Sequence, residues 1–174
     1  MNYLIVVAHP DDDSLFFHTF IKENKPYVCL MTTGWSMKRI PDFFKCMKNY
    51  GVKYRIYPLD SKDKRMNRLQ KQVSDVLKIS DFKIIATHNR EGEYGHEEHK
   101  RVHEAVFNVL PKGSTVYSPV LRENLFDYPL PDNIIEEKMK IFSDVYVTES
   151  WVPFDEPAGT PPWVNYEHLE LETV

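Results

Sequence analysis

The chain has 174 residues, 42% of them hydrophobic and 28% charged, with 22 basic and 26 acidic side chains for a formal net charge of −4. Its 13% aromatic content, set against a mean hydropathy of −0.47, excludes a disordered chain and fits one globular domain with a sizeable core. A pI near 6.0 excludes the basic face of a nucleic-acid binder, and two cysteines outside any CxxC pair, Cys29 and Cys46, exclude a disulfide framework or a thiolate zinc cluster.

Met1 to Ala8 is apolar but has no basic leader and runs straight into a proline and three aspartates, which does not read as a secretion signal. No apolar run approaches the roughly 20 residues that cross a bilayer, so the expectation is a cytoplasmic chain without a membrane span. Tyr3 to Ala8 reads as a strand buried on both faces. Ser14 to about Lys22 follows as a helix, with Leu15, Phe16, Thr19 and Phe20 at helical spacing, and Pro26 opens a second strand over Tyr27 to Thr32. A helix is predicted from about Pro41 to Tyr50, closed by Gly51, and a third strand from Val52 to Tyr57. Met66, Leu69, Val73, Val76 and Leu77 recur every three or four residues, marking an amphipathic helix within Ser61 to Ile79; its basic run is solvated surface. Phe82 to Thr87 is the fourth strand, His88 to about Glu97 a polar loop, and a helix then runs to about Leu110. Pro111 to Ser114 turns into a fifth strand, Thr115 to Ser118. Beyond it the sequence predicts a short helix near Ile134 to Phe142, a strand at Val145 to Thr148, and proline-rich connections at Pro129 to Asn133 and Pro153 to Pro162. Strands alternating with helices imply βαβ units and a mainly parallel sheet.

Ligands of open α/β sheets bind beyond the C-terminal ends of the strands, so the residues after strands one and four come first. His9-Pro10-Asp11-Asp12-Asp13 places an imidazole and three carboxylates there with no lysine or arginine among them, a cost of several kcal/mol unless a cation arrives. One aspartate, Asp12 or Asp13, is expected to cap the following helix. After strand four come His88, His96 and His99, with His103 one turn further along the helix. His9, one aspartate and a histidine of the second loop suit zinc, and three protein ligands leave a fourth position for water, the arrangement of a catalytic site. His103 is expected to support or pack beside the site, His88 to form its wall or end the strand, and His18 and His168 to lie at the surface. Trp35, following strand two on the same side of the sheet, is a candidate to stack on a sugar; Trp151 and Trp163 read as core or lid aromatics. A nucleotide-binding module is disfavoured: the first turn is HPDDD, and the six glycines form neither GxGxxG nor a Walker-type GxxxxGK.

Ala8-His9-Pro10-Asp11-Asp12 resembles the AHPDD(E) signature of the zinc-dependent deacetylases typified by N-acetylglucosaminyl-phosphatidylinositol de-N-acetylase and the LmbE-like proteins, with Asp13 in place of the usual glutamate. Gly92 to His99, GEYGHEEH, is similar to the family's GxYGHxDH segment, with Glu98 where aspartate is commoner. A third match is Thr33-Gly34, Arg39-x-x-Asp42 and Tyr50-Gly51-Val52. The resemblance spans roughly residues 3 to 110. It implies that His9, Asp12 and His99 bind zinc, that Asp11 is the general base, that His96 stabilises or protonates the tetrahedral intermediate, and that Tyr94 stands at the oxyanion side. It further implies that Arg39 contacts substrate and that Glu98 orients a neighbouring imidazole.

The expectation is one domain over residues 1–174, a three-layer α/β/α Rossmann-like fold in which residues 119–174 complete the fold and the substrate wall. It would remove the acetyl group from an N-acetylated amino sugar, free or within a glycan, using Zn2+, with Fe2+ or Co2+ compatible with the same ligands. The alternatives are a zinc amidase acting on another N-acyl or thiol-conjugate substrate, and a catalytically silent sugar-binding relative.

Overall fold

The computed structural model describes residues 2–31, 38–57, 65–120, 130–147 and 167–174. β1 (Tyr3–Val7) is apolar on both faces because it lies in the middle of the sheet, paired in parallel with β2 (Tyr27–Leu30) and β4 (Ile84–Thr87). β3 (Tyr54–Ile56), β5 (Thr115–Pro119) and β6 (Leu169–Thr173) complete six strands in the order β3-β2-β1-β4-β5-β6, parallel except for the antiparallel pair β5–β6. The alternation along β1 sorts the core into two layers. Ile5 and Val7 pack with α1 (Asp12–Asn24), α2 (Ile40–Tyr50) and α6 (Asp132–Asp144). Leu4, Val6 and Ala8 pack with α3 (Met66–Leu77) and α5 (Glu97–Val109). The result is the expected α/β/α sandwich, in which the strand order reverses between β1 and β4, the crevice where such sheets bind ligands.

Two expectations are corrected. Val145 to Thr148 does not form a strand among its described residues: α6 runs on to Asp144, and the N–H groups of Val145 and Tyr146 both bond back to Ile141 O (2.9 and 3.1 Å), burying both side chains in a turn. The place beside β5 goes instead to β6, whose Leu-Glu-Leu-Glu-Thr alternation is a period-2 signal not read as a strand above. His18 is not at the surface; it is buried, its Nδ1 2.8 Å from the Tyr50 hydroxyl and its Nε2 3.4 Å from Glu137.

α1 is broken at Phe17 (φ −134°, ψ 18°). In an unbroken helix the Leu15 carbonyl would accept from Thr19 N–H. Here Leu15 O accepts from the buried Lys138 ammonium at 2.8 Å, while Thr19 N–H donates to the Glu167 carboxylate at 2.9 Å. Glu167 also takes the Thr19 hydroxyl (3.0 Å) and stands 3.7 Å from Lys138. A buried ion pair from the C-terminal part of the chain thus satisfies the backbone groups that the break frees. The break lets Phe17 enter the core while Phe16 turns its edge to His88 and His99, both with ring centroids 6.0 Å away.

Removing Glu167 takes the counter-charge from a buried ammonium. Urea titration of Glu167→Ala should show a loss of about 3–5 kcal/mol, and Lys138→Met/Glu167→Gln a smaller one; equal losses would mean the charges are not coupled. Burial, with Lys138 adding, holds the His18 imidazole down at about 4 against 6.5 in the unfolded chain. The unfolded state therefore takes up a proton between those values that the folded state refuses, so stability present above pH 6.5 is lost as pH falls towards 4. The melting temperature of His18→Gln should decline less steeply than wild type across that window; parallel curves would remove His18 as the cause.

Candidate metal centre

The β1–α1 turn begins with a backbone conformation L-residues seldom adopt: Asp11 has φ 112° and ψ −31°. It, and neither Asp12 nor Asp13, occupies the N-cap position, and no carboxylate caps the helix; Asp11 O accepts from the N–H groups of Ser14 (2.9 Å) and Leu15 (2.8 Å). The expected cap fails because each carboxylate is engaged elsewhere. Asp11 Oδ1 lies 2.7 Å from Arg39 Nη2, and Arg39 also donates to Pro10 O. Asp12 Oδ2 accepts His9 N–H at 2.7 Å and its Oδ1 is 3.4 Å from His99 Nε2. Asp13 turns away from the crevice to the Tyr146 hydroxyl (2.7 Å) and the Ser14 hydroxyl (2.9 Å).

The second loop reverses twice to meet this turn. Gly92 (φ 67°) lies so close to α5 that a Cβ would come within 2.9 Å of Lys100 Cγ, and Glu93 follows with φ 56° in the one-turn helix α4 (Gly92–Gly95). That double left-handed turn drives the Glu93 carboxylate inward. Its Oε2 takes His99 Nδ1 at 2.6 Å and His88 Nδ1 at 3.1 Å, while Oε1 accepts Asn89 N–H at 2.9 Å. His88 is fully buried and its Nε2 accepts the Ala8 N–H at 3.0 Å, so this residue clasps β4 to the end of β1. His103, on α5, holds the His88 carbonyl at 2.8 Å and stacks on Phe107, so it supports the loop from behind.

Hydrogen-bond partners assign the proton positions. His99 carries its proton on Nδ1, against Glu93, leaving the Nε2 lone pair towards the crevice. His9 Nε2 bonds Glu98 Oε2, leaving Nδ1 inward. These two nitrogens face each other at 3.1 Å with Asp12 Oδ1 beside them, an arrangement that a cation or a proton must fill. His9, His96 and His99, and likewise Asp12, His88 and His99, offer donor atoms within 4.8 Å of one another. The mixed imidazole and carboxylate donors suit a borderline divalent ion. His88 Nε2 is engaged by Ala8 N–H, and His96 stacks on His99 at 4.5 Å.

The electrostatics agree. Burial would raise the Asp12 carboxyl, but His99 and the other imidazoles around it hold it well below the usual range. Burial disfavours the His9 imidazolium, yet Asp12 and Glu98 outweigh that and raise it to about 10, the response of a site that attracts positive charge. Burial, with His88 adding, drives the His99 imidazole down to about 4. Burial pushes Asp11 up, Arg39 pulls it back and Asp12 pushes again, leaving it near 8. His96 is lowered by burial and by His9, and Tyr94, 55% exposed and 5.5 Å ring to ring from His99, is raised by burial and by Asp12.

The crevice therefore gathers Asp11, Asp12, His9, His96, His99, Tyr94, Glu98 and Arg39, with Arg39 on Asp11 and Glu98 on His9. Trp35, with Thr33 and Gly34, and the aromatics Trp151 and Trp163 lie outside the described residues. The inward carboxylate of Glu93 was missed; its only signal was a glutamate directly after a glycine free to turn left-handed.

The family model of GlcNAc-PI de-N-acetylase, PIG-L, matches residues 4–110, the stretch from β1 to the end of α5 that builds this site. An uncharacterised protein of Acanthamoeba polyphaga mimivirus is 24% identical over 129 residues, which cover 62% of this chain and 57% of that relative's length. Among solved structures, a deacetylase triple mutant involved in the teicoplanin biosynthetic pathway matches with a TM-score of 0.68 at 11% identity, covering 100% of this chain and 99% of the other. GalB, the 4-carboxy-2-hydroxymuconate hydratase of Pseudomonas putida, matches with a TM-score of 0.64 at 12% identity, covering 100% and 96%.

If Glu93 sets the tautomer and direction of His99, Glu93→Gln should weaken zinc binding about 10- to 100-fold in equilibrium dialysis. Unchanged affinity would show that His99 is oriented by its packing alone.

Proposed function

The chain belongs to the GlcNAc-PI de-N-acetylase (PIG-L) family, and from that membership and the crevice geometry we propose that it is a metal-dependent hydrolase that removes the acetyl group from an N-acetylated amino sugar. The observation that carries the reading is the convergence of His9 Nδ1, His99 Nε2 and Asp12 Oδ1 beside a buried Asp11 carboxylate paired with Arg39. His9, Asp12 and His99 would hold Zn2+, or Fe2+ or Co2+ in its place. A bound divalent ion would polarise the acetyl carbonyl and lower the pKa of a water at its open position.

The chain's own groups account for the proton movements. Asp11 takes a proton from the attacking water; a cation nearby favours its ionised form, and Arg39 keeps its carboxyl aimed. His96, on the N-cap of α5, and the phenol of Tyr94, kept protonated by its raised pKa, face the oxyanion as it develops. Asp11 then returns the proton to the departing amine, so acetate and a free amino sugar leave. Arg39, whose guanidinium lies on Asp11, is the proposed substrate contact, and Trp35 the residue proposed to stack on the sugar. The fold by itself is neutral about the reaction, since a hydratase and a deacetylase both share it.

The test is metal content together with acetate release from an N-acetylglucosamine derivative. Wild type should bind one divalent ion and release acetate. Asp11→Asn should retain the metal and lose about 10²- to 10⁴-fold in kcat, the usual share of a general base. A protein that takes up no divalent ion overturns the metal reading, and a metal-loaded protein that cleaves other N-acyl compounds but no amino sugar moves the assignment to the amidase alternative.

A further inference from the structure

Asp11 holds its carboxylate in the crevice at a positive φ of 112°, a conformation that costs an L-residue of the order of 1–3 kcal/mol and persists only where its surroundings over-determine it. Arg39 restrains the side chain, and the carbonyl is held by Ser14 and Leu15 N–H. The remaining restraint is on the amide: Asp11 N–H points to Asp13 Oδ1 at 3.3 Å. That oxygen is itself placed by a shorter bond, the 2.7 Å contact from the hydroxyl of Tyr146, a fully buried residue in the turn after α6. The other Asp13 oxygen takes the Ser14 hydroxyl at 2.9 Å and the Cys46 thiol at 3.4 Å, so Tyr146 is the partner that sets the edge facing Asp11.

We propose that Tyr146 is a positioning residue for Asp11: its hydroxyl, acting through the Asp13 carboxylate, anchors the Asp11 amide and so fixes the angle at which the Asp11 carboxylate enters the crevice. Tyr146 lies outside the segment 4–110 that matches the family, and nothing in the two motifs points to it. Without its hydroxyl the Oδ1 edge of the Asp13 carboxylate loses its anchor and can pivot about the oxygen that Ser14 and Cys46 hold. The Asp11 N–H loses its acceptor, and the residue relaxes about φ and swings its carboxylate away. His9, Asp12 and His99 do not depend on this bond, so metal binding is unaffected while proton transfer is not. The inference rests on the reading of Asp11 as general base, but its structural half stands apart from that reading.

Tyr146→Phe removes one oxygen and keeps the buried ring. The variant should bind zinc as wild type does and hold KM for an N-acetylglucosamine derivative, with kcat lowered roughly 10- to 100-fold, the scale of a misplacement near 1 Å. NMR hydrogen exchange of the Asp11 amide should speed up while the amides of β1 keep their protection. Combined with Asp13→Ala, which removes the accepting oxygen, the double variant should lose no more kcat than the worse single variant, because both act on one bond; additive losses would make Tyr146 a general support and overturn the proposal. Unchanged exchange at Asp11 in Tyr146→Phe would overturn it as well. Faster exchange at Asp11 in a protein that releases no acetate would uphold the positioning and sink only the deacetylase reading.

Discussion

The structure depends on one desolvated carboxylate. Asp12 sits at the end of β1, shielded from water and ringed by His9, His88 and His99. A charge in that position is tolerable only if hydrogen-bond donors and positive charge replace the water it gave up. Everything that brings those imidazoles to it follows from the adjacency of β1 and β4. The parallel pairing sets Val6 against Thr87, so the residues that leave the two strands, His9 to Asp13 and His88 to His99, emerge side by side.

Two sets of supports hold that junction. From the second loop, Glu93 binds His88 and His99 with one oxygen, which fixes the tautomer of the imidazole facing the crevice and ties it to the imidazole that clasps the strands. From the C-terminal part of the chain, Lys138 and Glu167 bridge the break in α1, and Tyr146 reaches Asp13. The break has a purpose in packing terms. With it, Phe17 is buried in the core and Phe16 lies against the histidine stack. The buried ion pair is what makes the break tolerable, since each of its charges binds a backbone group that the helix no longer serves.

Much of the crevice was legible in the sequence. The HPDDD and GHEEH groups declare themselves because imidazoles and carboxylates are clustered in them, and the two parallel strands that carry them read as unbroken apolar runs. The direction of each aspartate was not legible. Three carboxylates in a row look equivalent as text, yet Asp11 goes to Arg39, Asp12 to the imidazoles and Asp13 to Tyr146, and the cap expected of Asp12 or Asp13 is absent. His18 was misread for a related reason. Its burial partners, Tyr50 and Glu137, are 32 and 119 residues away along the chain, beyond any local pattern.

By itself, then, the sequence determined the α/β class, the parallel strands, the family and the residues that gather in the crevice, because those properties are written in short-range periodicity and in clustered residue types. Only the tertiary structure decided how α1 breaks, that β6 rather than Val145 to Thr148 closes the sheet beside β5, and that Glu93, Tyr146, Lys138 and Glu167 support the site. Those outcomes depend on which buried polar group finds which partner across the chain. Such a pairing is settled by the cost of leaving any of them unsatisfied once water is excluded.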